Sequence, residues 1–90
     1  MVCMYGYVYL TRNKINGKMY IGQKKADKFL GNDYIGSGQY LWNSIRYHGY
    51  NPQTDFDVIL LEECESLEML NERERYWISY YNASHSENFY

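Results

Sequence analysis

Apolar and polar positions alternate along residues 6–12, Gly-Tyr-Val-Tyr-Leu-Thr-Arg. In an extended chain Val8 and Leu10 fall on one side, Tyr7 and Tyr9 on the other. Residues 18–22, Lys-Met-Tyr-Ile-Gly, repeat the scheme, with Met19 and Ile21 opposite to Tyr20. The intervening Asn13-Lys14-Ile15-Asn16-Gly17 carries an Asn-Gly turn signal, so the two runs predict a β-hairpin. A tight turn at Asn16-Gly17 sets Tyr20 against Asn13 and Tyr9 against Lys24. A wider loop centred near Lys14-Ile15 sets Val8 against Ile21, Leu10 against Met19, Tyr9 against Tyr20 and Tyr7 against Gly22. The wider loop is the expected register, because it gathers aliphatic residues and phenols on separate faces, and segregation fixes register in a half-buried sheet. It lays two phenols side by side, away from the aliphatic core.

Residues 23–38 form a basic, glycine-punctuated loop with Lys24, Lys25 and Lys28, then Gly31, Gly36 and Gly38. Ser37 is positioned to cap a helix from Gly38 to His48 with Leu41 and Ile45 as its apolar seam, and Gly49 ends it. Phe56 to Leu61 is almost wholly apolar and predicts a third strand at the centre of the sheet. Ser66 caps a second helix from Leu67 to about Tyr81. Leu70, Trp77, Ile78 and Tyr81 share one stripe of that helix, and Glu74 falls in the middle of it. Glu68, Glu72 and Arg75 lie on the solvent side. A carboxylate on a buried face is costly unless paired or metal-bound. Two readings stand side by side: structural pairing with Arg46 or a tyrosine hydroxyl, and use as a metal ligand or catalytic group.

Composition narrows the class. Ninety residues make one domain with one modest core. No run approaches the length of a membrane span, and the N-terminus lacks a signal-peptide pattern. Cys3 and Cys64 are too far apart in sequence for a zinc knuckle or a disulfide framework, which suits a reducing, cytoplasmic setting. Tyrosine supplies 12 of the 90 residues. It serves either as a strand former at half-buried positions or as the material of a site made of phenols. The net charge of -2 conceals a division. Residues 1–50 hold seven Lys/Arg against two Asp/Glu, a balance of +5; residues 51–90 hold two against nine, a balance of -7. One half can therefore present a basic face to a polyanion.

Three segments in order resemble the GIY-YIG nuclease family. Tyr7-Val8-Tyr9, followed eleven residues later by Tyr20-Ile21-Gly22, resembles its two signature motifs. Glu72-Arg73-Glu74-Arg75-Tyr76-Trp77-Ile78 resembles its acidic helix. Tyr34-Ile35-Gly36-Ser37-Gly38, followed by a helix ending in Arg46-Tyr47-His48-Gly49, resembles a phage and bacterial subgroup that contains homing endonucleases. The resemblance covers essentially the whole chain. It implies an α+β fold, a small three-stranded antiparallel sheet flanked by helices, and divalent-metal-dependent hydrolysis of phosphodiester bonds in double-stranded DNA. By the same resemblance Glu74 holds Mg2+ (or Mn2+), Tyr9 helps deprotonate or orient the attacking water, and Tyr20 holds the water or the scissile phosphate. Arg46 binds phosphate, and His48 assists proton transfer or binds phosphate. Lys24, Lys25, Lys28 and Ser37 are expected DNA contacts. A phenol is a poor base at neutral pH unless nearby cations lower its pKa, a role open to the metal, Arg46 and the loop lysines.

The chain departs from the family pattern in three places. Tyr7 stands where the family usually has Gly, a change expected to alter the rim of the site. No Arg follows the second motif in residues 23–38, and Asn43 stands where close relatives are often basic. The Asn expected directly after Phe89-Tyr90 would be residue 91. Residues 1–90 are thus expected to be the N-terminal catalytic part of a longer protein, with target choice residing in a C-terminal DNA-binding region. A catalytically silent module that only contacts DNA or protein is the alternative, favoured by the missing Arg and opposed by the joint presence of Tyr9, Tyr20 and Glu74. A purely structural Tyr-rich domain would need Glu74 paired and dry.

Overall fold

A computed structural model describes residues 4–90; Cys3 lies outside them. Three strands, β1 (Gly6–Asn13), β2 (Met19–Lys25) and β3 (Phe56–Cys64), form an antiparallel sheet in the order β2-β1-β3. Helix α1 (Gln39–His48) packs on one face and α2 (Leu67–Tyr80) on the other. This is the expected α+β architecture. Among the described residues no helix is long and apolar enough to cross a membrane.

The hairpin register falls between the two considered. Leu10 pairs with Ile21, Thr11 with Tyr20, Tyr9 with Gly22 and Tyr7 with Lys24. The expected pairing of Tyr9 with Tyr20 is therefore wrong by two residues. Side chains alternate with period two, so sliding a strand by two leaves every residue on its own face. Face segregation cannot distinguish registers of equal parity; the loop decides. Asn13 accepts from the amides of Ile15 and Asn16 at 2.8 and 3.3 Å through Oδ1, and Gly17 supplies a positive φ of 77°. The four residues 14–17 then close the loop between Asn13 and Lys18.

The central strand is β1, not β3. Ile59 and Leu60 of β3 remain 47% and 39% exposed on the sheet edge, whereas β1 is buried on both faces. Val8 and Leu10 join Ile21, Cys64 and Leu70 under α2. The other face lies under a second cluster of Ile35, Leu41, Ile45 and Phe56 beneath α1. Tyr7, Tyr9, Thr11 and Asn13 read as a wet face because each carries a polar tip, and all four are buried. Their polar atoms find partners inside the fold. Thr11 Oγ1 donates to the Ile35 carbonyl at 2.6 Å, and Asn13 Nδ2 donates to the Tyr90 hydroxyl at 3.0 Å. The Tyr7 hydroxyl accepts from the Leu30 amide at 3.3 Å, with Phe29 edge-on against its ring. Tyr7 thus anchors the loop from beneath and does not shape a rim.

Both helices end as expected. Gly49 closes α1 in the left-handed region, and Asn82 does so just beyond α2. Ser66 caps α2 through the Met69 amide at 3.1 Å. Ser37 does not cap α1; Gly38 occupies that position without a side-chain bond. On α2, Arg73 Nε and Trp77 Nε1 both donate to Glu62 Oε1 of β3, at 2.7 and 3.0 Å. Glu62→Ala removes both bonds and leaves a partly buried indole N–H unpaired. Urea denaturation is expected to show a loss of about 1–2 kcal/mol. A change within error would mean that water replaces Glu62 at no penalty.

Candidate functional site

The edge of β2 is where the two layers meet. Tyr20 leaves β2 toward the α1 side and Gln23 toward the α2 side, because their positions differ in parity. Gln23 Nε2 donates to Glu74 Oε1 at 3.3 Å and to Asn71 Oδ1 at 2.9 Å. The Glu74 charge also acts on the Tyr20 phenol. A phenol on one face and a carboxylate on the other therefore lie near the same strand edge. The C-terminal residues cover the neighbouring stretch of that edge, where Asn88 and Tyr90 bond the backbone of Met19.

Glycines make room for the phenols. A Cβ at residue 22 would press on the Tyr9 hydroxyl and lie 2.7 Å from Tyr9 Cζ and 2.8 Å from Tyr20 Cε2. A Cβ at residue 36 would lie 2.8 Å from Tyr20 Cε2, and one at residue 38 would lie 2.5 Å from Tyr20 Cε1. Gly36 also holds a φ of 135° that side chains rarely adopt. The Tyr20 ring is thus seated against backbone on three sides. Ser37, exposed between two of these glycines, opposes the effect of burial on the Tyr20 pKa. The segment is tied to the fold by the Thr11–Ile35 bond and by Trp42 Nε1, which donates to the Gly36 carbonyl at 2.7 Å.

The three phenols differ in environment. Tyr9 is 1% exposed, with Tyr34 edge-on at 5.8 Å and Tyr20 tilted at 6.2 Å. Burial first, then the neighbouring Tyr20 and Tyr34, push its pKa far above the ordinary phenol value. Tyr9 is therefore neutral near pH 7, and neither Arg46 nor a loop lysine is among the groups that act on it. Tyr20 is half-buried, and its pKa is raised chiefly by burial, with the Ser37 bond opposing and Glu74 adding. Tyr34 carries Lys24 Nζ over its ring at 4.4 Å.

Glu74 is partly buried, as the helical pattern indicates. Burial raises its pKa, opposed by the Gln23 bond and the Arg75 charge. The ion pairs of the described residues are Arg12–Asp57, Lys14–Asp57 and Arg73–Glu62, and none involves Glu74. The partner expected on structural grounds, Arg46, bonds Asn43 at 2.7 Å instead.

The structure therefore brings Tyr9, Tyr20, Ser37, Lys24 and Glu74 to one strand edge. It does not show Arg46 or His48 bonded to that cluster. His48 stacks on Tyr50 at 5.2 Å and meets Tyr47 edge-on at 4.8 Å, on the last turn of α1. Lys25 Nζ lies 5.2 Å over the Tyr5 ring, and Lys28 is exposed on the loop. Gln23 and Tyr34 belong to the cluster and were not singled out as site residues. Tyr34 sits in a motif visible in the sequence. Gln23 carries no signal without the pairing of β2 against α2.

The chain is 40% identical over 65 residues to the protein named "Putative endonuclease segE" of Enterobacteria phage T4. The match covers 72% of this chain and 30% of that protein, so the chain spans less than a third of its relative's length. No family model matches the sequence, and no solved structure matches the fold.

Proposed function

We propose that residues 1–90 form the catalytic part of a divalent-metal-dependent DNA endonuclease of the GIY-YIG type, as in modular homing-type enzymes. The carrying observation is the nearness of Tyr20 and the unpaired, half-buried Glu74 to the same edge of β2. Similarity to a phage protein named as an endonuclease supports the reading.

The donor set suits a hard, water-retaining ion. Among the described residues no three His, Cys, Asp or Glu cluster in a metal cage. A single carboxylate with an adjacent amide fits Mg2+ (or Mn2+), which keeps several waters and completes its shell with substrate phosphate. Glu74 would hold such an ion, which would supply charge stabilisation to the phosphate and the leaving oxygen.

The protein's own groups do the rest. Tyr20 is the accessible phenol, and its seat of three glycines fixes the hydroxyl to orient the attacking water against the phosphate. Tyr9 lies behind it, neutral and buried, and acts through Tyr20 and Tyr34 as a positioning residue. Gln23 aims the Glu74 carboxylate. Lys24, Lys28 and Ser37 border the cluster as phosphate contacts, and Arg46 and His48 meet DNA from α1.

The test is nicking of supercoiled plasmid with Mg2+ and with EDTA. Metal-dependent nicking is expected. Tyr20→Phe is expected to lower the rate by ~10²-fold or more, since a group at the reacting atoms is lost, and Tyr9→Phe by ~10-fold. A larger loss in Tyr9→Phe than in Tyr20→Phe would reverse the two roles. No nicking by a folded chain that binds DNA would establish the silent module instead.

A further inference from the structure

We propose that the solvent face of α1 reads base edges in the major groove beside the cleaved bond, with a preference for guanine; this rests on DNA being the substrate. The six exposed residues of α1 are Gln39, Tyr40, Asn43, Arg46, Tyr47 and His48. A helix face with no task but solubility mixes acids and bases. This one has no acid anywhere in the helix and leaves Tyr40 and Tyr47 77% and 85% exposed. Large aromatic exposure flanked by amides and a guanidinium marks a contact surface. Its charge is complementary to a polyanion, in keeping with the +5 balance of residues 1–50.

Geometry supports the groove and the base. Gln39, Asn43 and Arg46 follow one another along a single stripe at four- and three-residue steps, with Tyr40 and Tyr47 beside them. A helix about 10–12 Å wide fits the ~12 Å major groove. Arg46 Nη2 donates to Asn43 Oδ1 at 2.7 Å. That bond engages one lone pair of the Asn43 oxygen and holds the Asn43 amide and the guanidinium side by side, with most of their outward-facing groups N–H donors. Guanine offers two adjacent acceptors, N7 and O6, to such a donor pair. Tyr40 and Tyr47 lie against sugar or thymine methyl on either side.

The face borders the Tyr20 side of the cluster across the C-terminal residues. Tyr40, Asn43, Tyr47 and His48 line a groove of about 670 Å³ whose far wall is Phe89 and Tyr90. The same Phe89 and Tyr90 wall a smaller pocket of about 180 Å³ that contains Tyr20. One duplex could therefore lie across α1 with a phosphate at Tyr20.

The experiment is equilibrium binding of the Glu74→Gln chain, at low salt, to fluorescent duplexes that differ by single G·C-to-A·T changes. A ranking is expected, with about tenfold weaker binding when the read guanine is replaced. Asn43→Ala and Tyr47→Ala should flatten the ranking, while Lys28→Ala should weaken all duplexes alike. Thermal melting should show the exposed α1 variants folded. A flat ranking, or a ranking untouched by Asn43→Ala and Tyr47→Ala, would overturn the assignment. So would a loss of self-association in Tyr47→Ala seen by light scattering, which would make the face a contact between copies. Plasmid nicking by the wild-type chain separates the two proposals. Nicking with a flat ranking sinks only the base-reading face, and a ranking without nicking sinks only the catalysis.

Discussion

Glu74→Gln is expected to keep the fold and, on the proposed function, to lower metal-dependent nicking by about a thousandfold or more. The amide is nearly isosteric and can still accept from Gln23, so the α2–β2 contact survives. What goes is the one anionic oxygen that the cluster offers to a dication, and several kcal/mol of transition-state stabilisation correspond to roughly that factor. Plasmid nicking against Mg2+ concentration reads it, with circular dichroism as the fold control. Residual nicking within tenfold of wild type would remove Glu74 from the metal site.

The same variant makes a thermodynamic prediction with a definite sign. Burial raises the folded-state pKa of Glu74 above its unfolded value. The neutral acid is then the form that the fold favours. Its contribution is fully present below the ordinary carboxylate range and is lost as pH rises through the folded value. Glu74→Gln should therefore gain stability relative to wild type across that window and hold the gain at neutral pH. Nicking by the wild type needs the anion, so its acidic limb should lie above the ordinary Glu range. An acidic limb at or below that range would mean that bound metal or substrate has already reversed the desolvation.

Gly22→Ala is expected to damage both stability and rate. The added methyl meets the Tyr9 hydroxyl and ring and the Tyr20 ring together. Tyr20 is half-buried and can yield, but Tyr9 is sealed in the core against Tyr7 and Tyr34. Overpacking of a closed core costs about 1–3 kcal/mol, read by urea denaturation. The rate per folded molecule should fall by ~10²-fold, because displacement of about 1 Å at a positioned group has that effect. Gly17→Ala is the control. It has a positive φ of 77° and nothing within 4 Å, so it should lose about 1–2 kcal/mol of stability and no activity per folded molecule. Equal rates in Gly22→Ala and wild type would show that the seat of Tyr20 is not needed for chemistry.

Much of this architecture was legible in one dimension. The period-two runs located β1 and β2, and the Asn-Gly pair located their loop. Ser66 and Gly49 marked helix ends through backbone groups that such residues satisfy. The helical period placed Glu74 on the inner face of α2, and that misplaced charge was the strongest local hint of a site. Strand order and register were not legible. Tyr7, Thr11 and Asn13 look solvated by type, yet they are buried once Leu30, Ile35 and Tyr90 satisfy their polar atoms. Hydropathy cannot register partners that arrive from residues 23 to 77 positions away.

The local sequence thus located each element and the face that its side chains take, because dihedral preference and side-chain period act between near neighbours, but it stopped β2 and β3 short of their ends at Lys25 and Cys64. Tertiary structure alone decided that β1 is central and that the hairpin sits two residues from the expected pairing. It also set Tyr20 and Glu74 on opposite faces near the edge of β2, close enough for the charge of one to act on the other. Those outcomes depend on loop closure and on which polar atoms find partners across the fold, and neither is written in the spacing of any one segment.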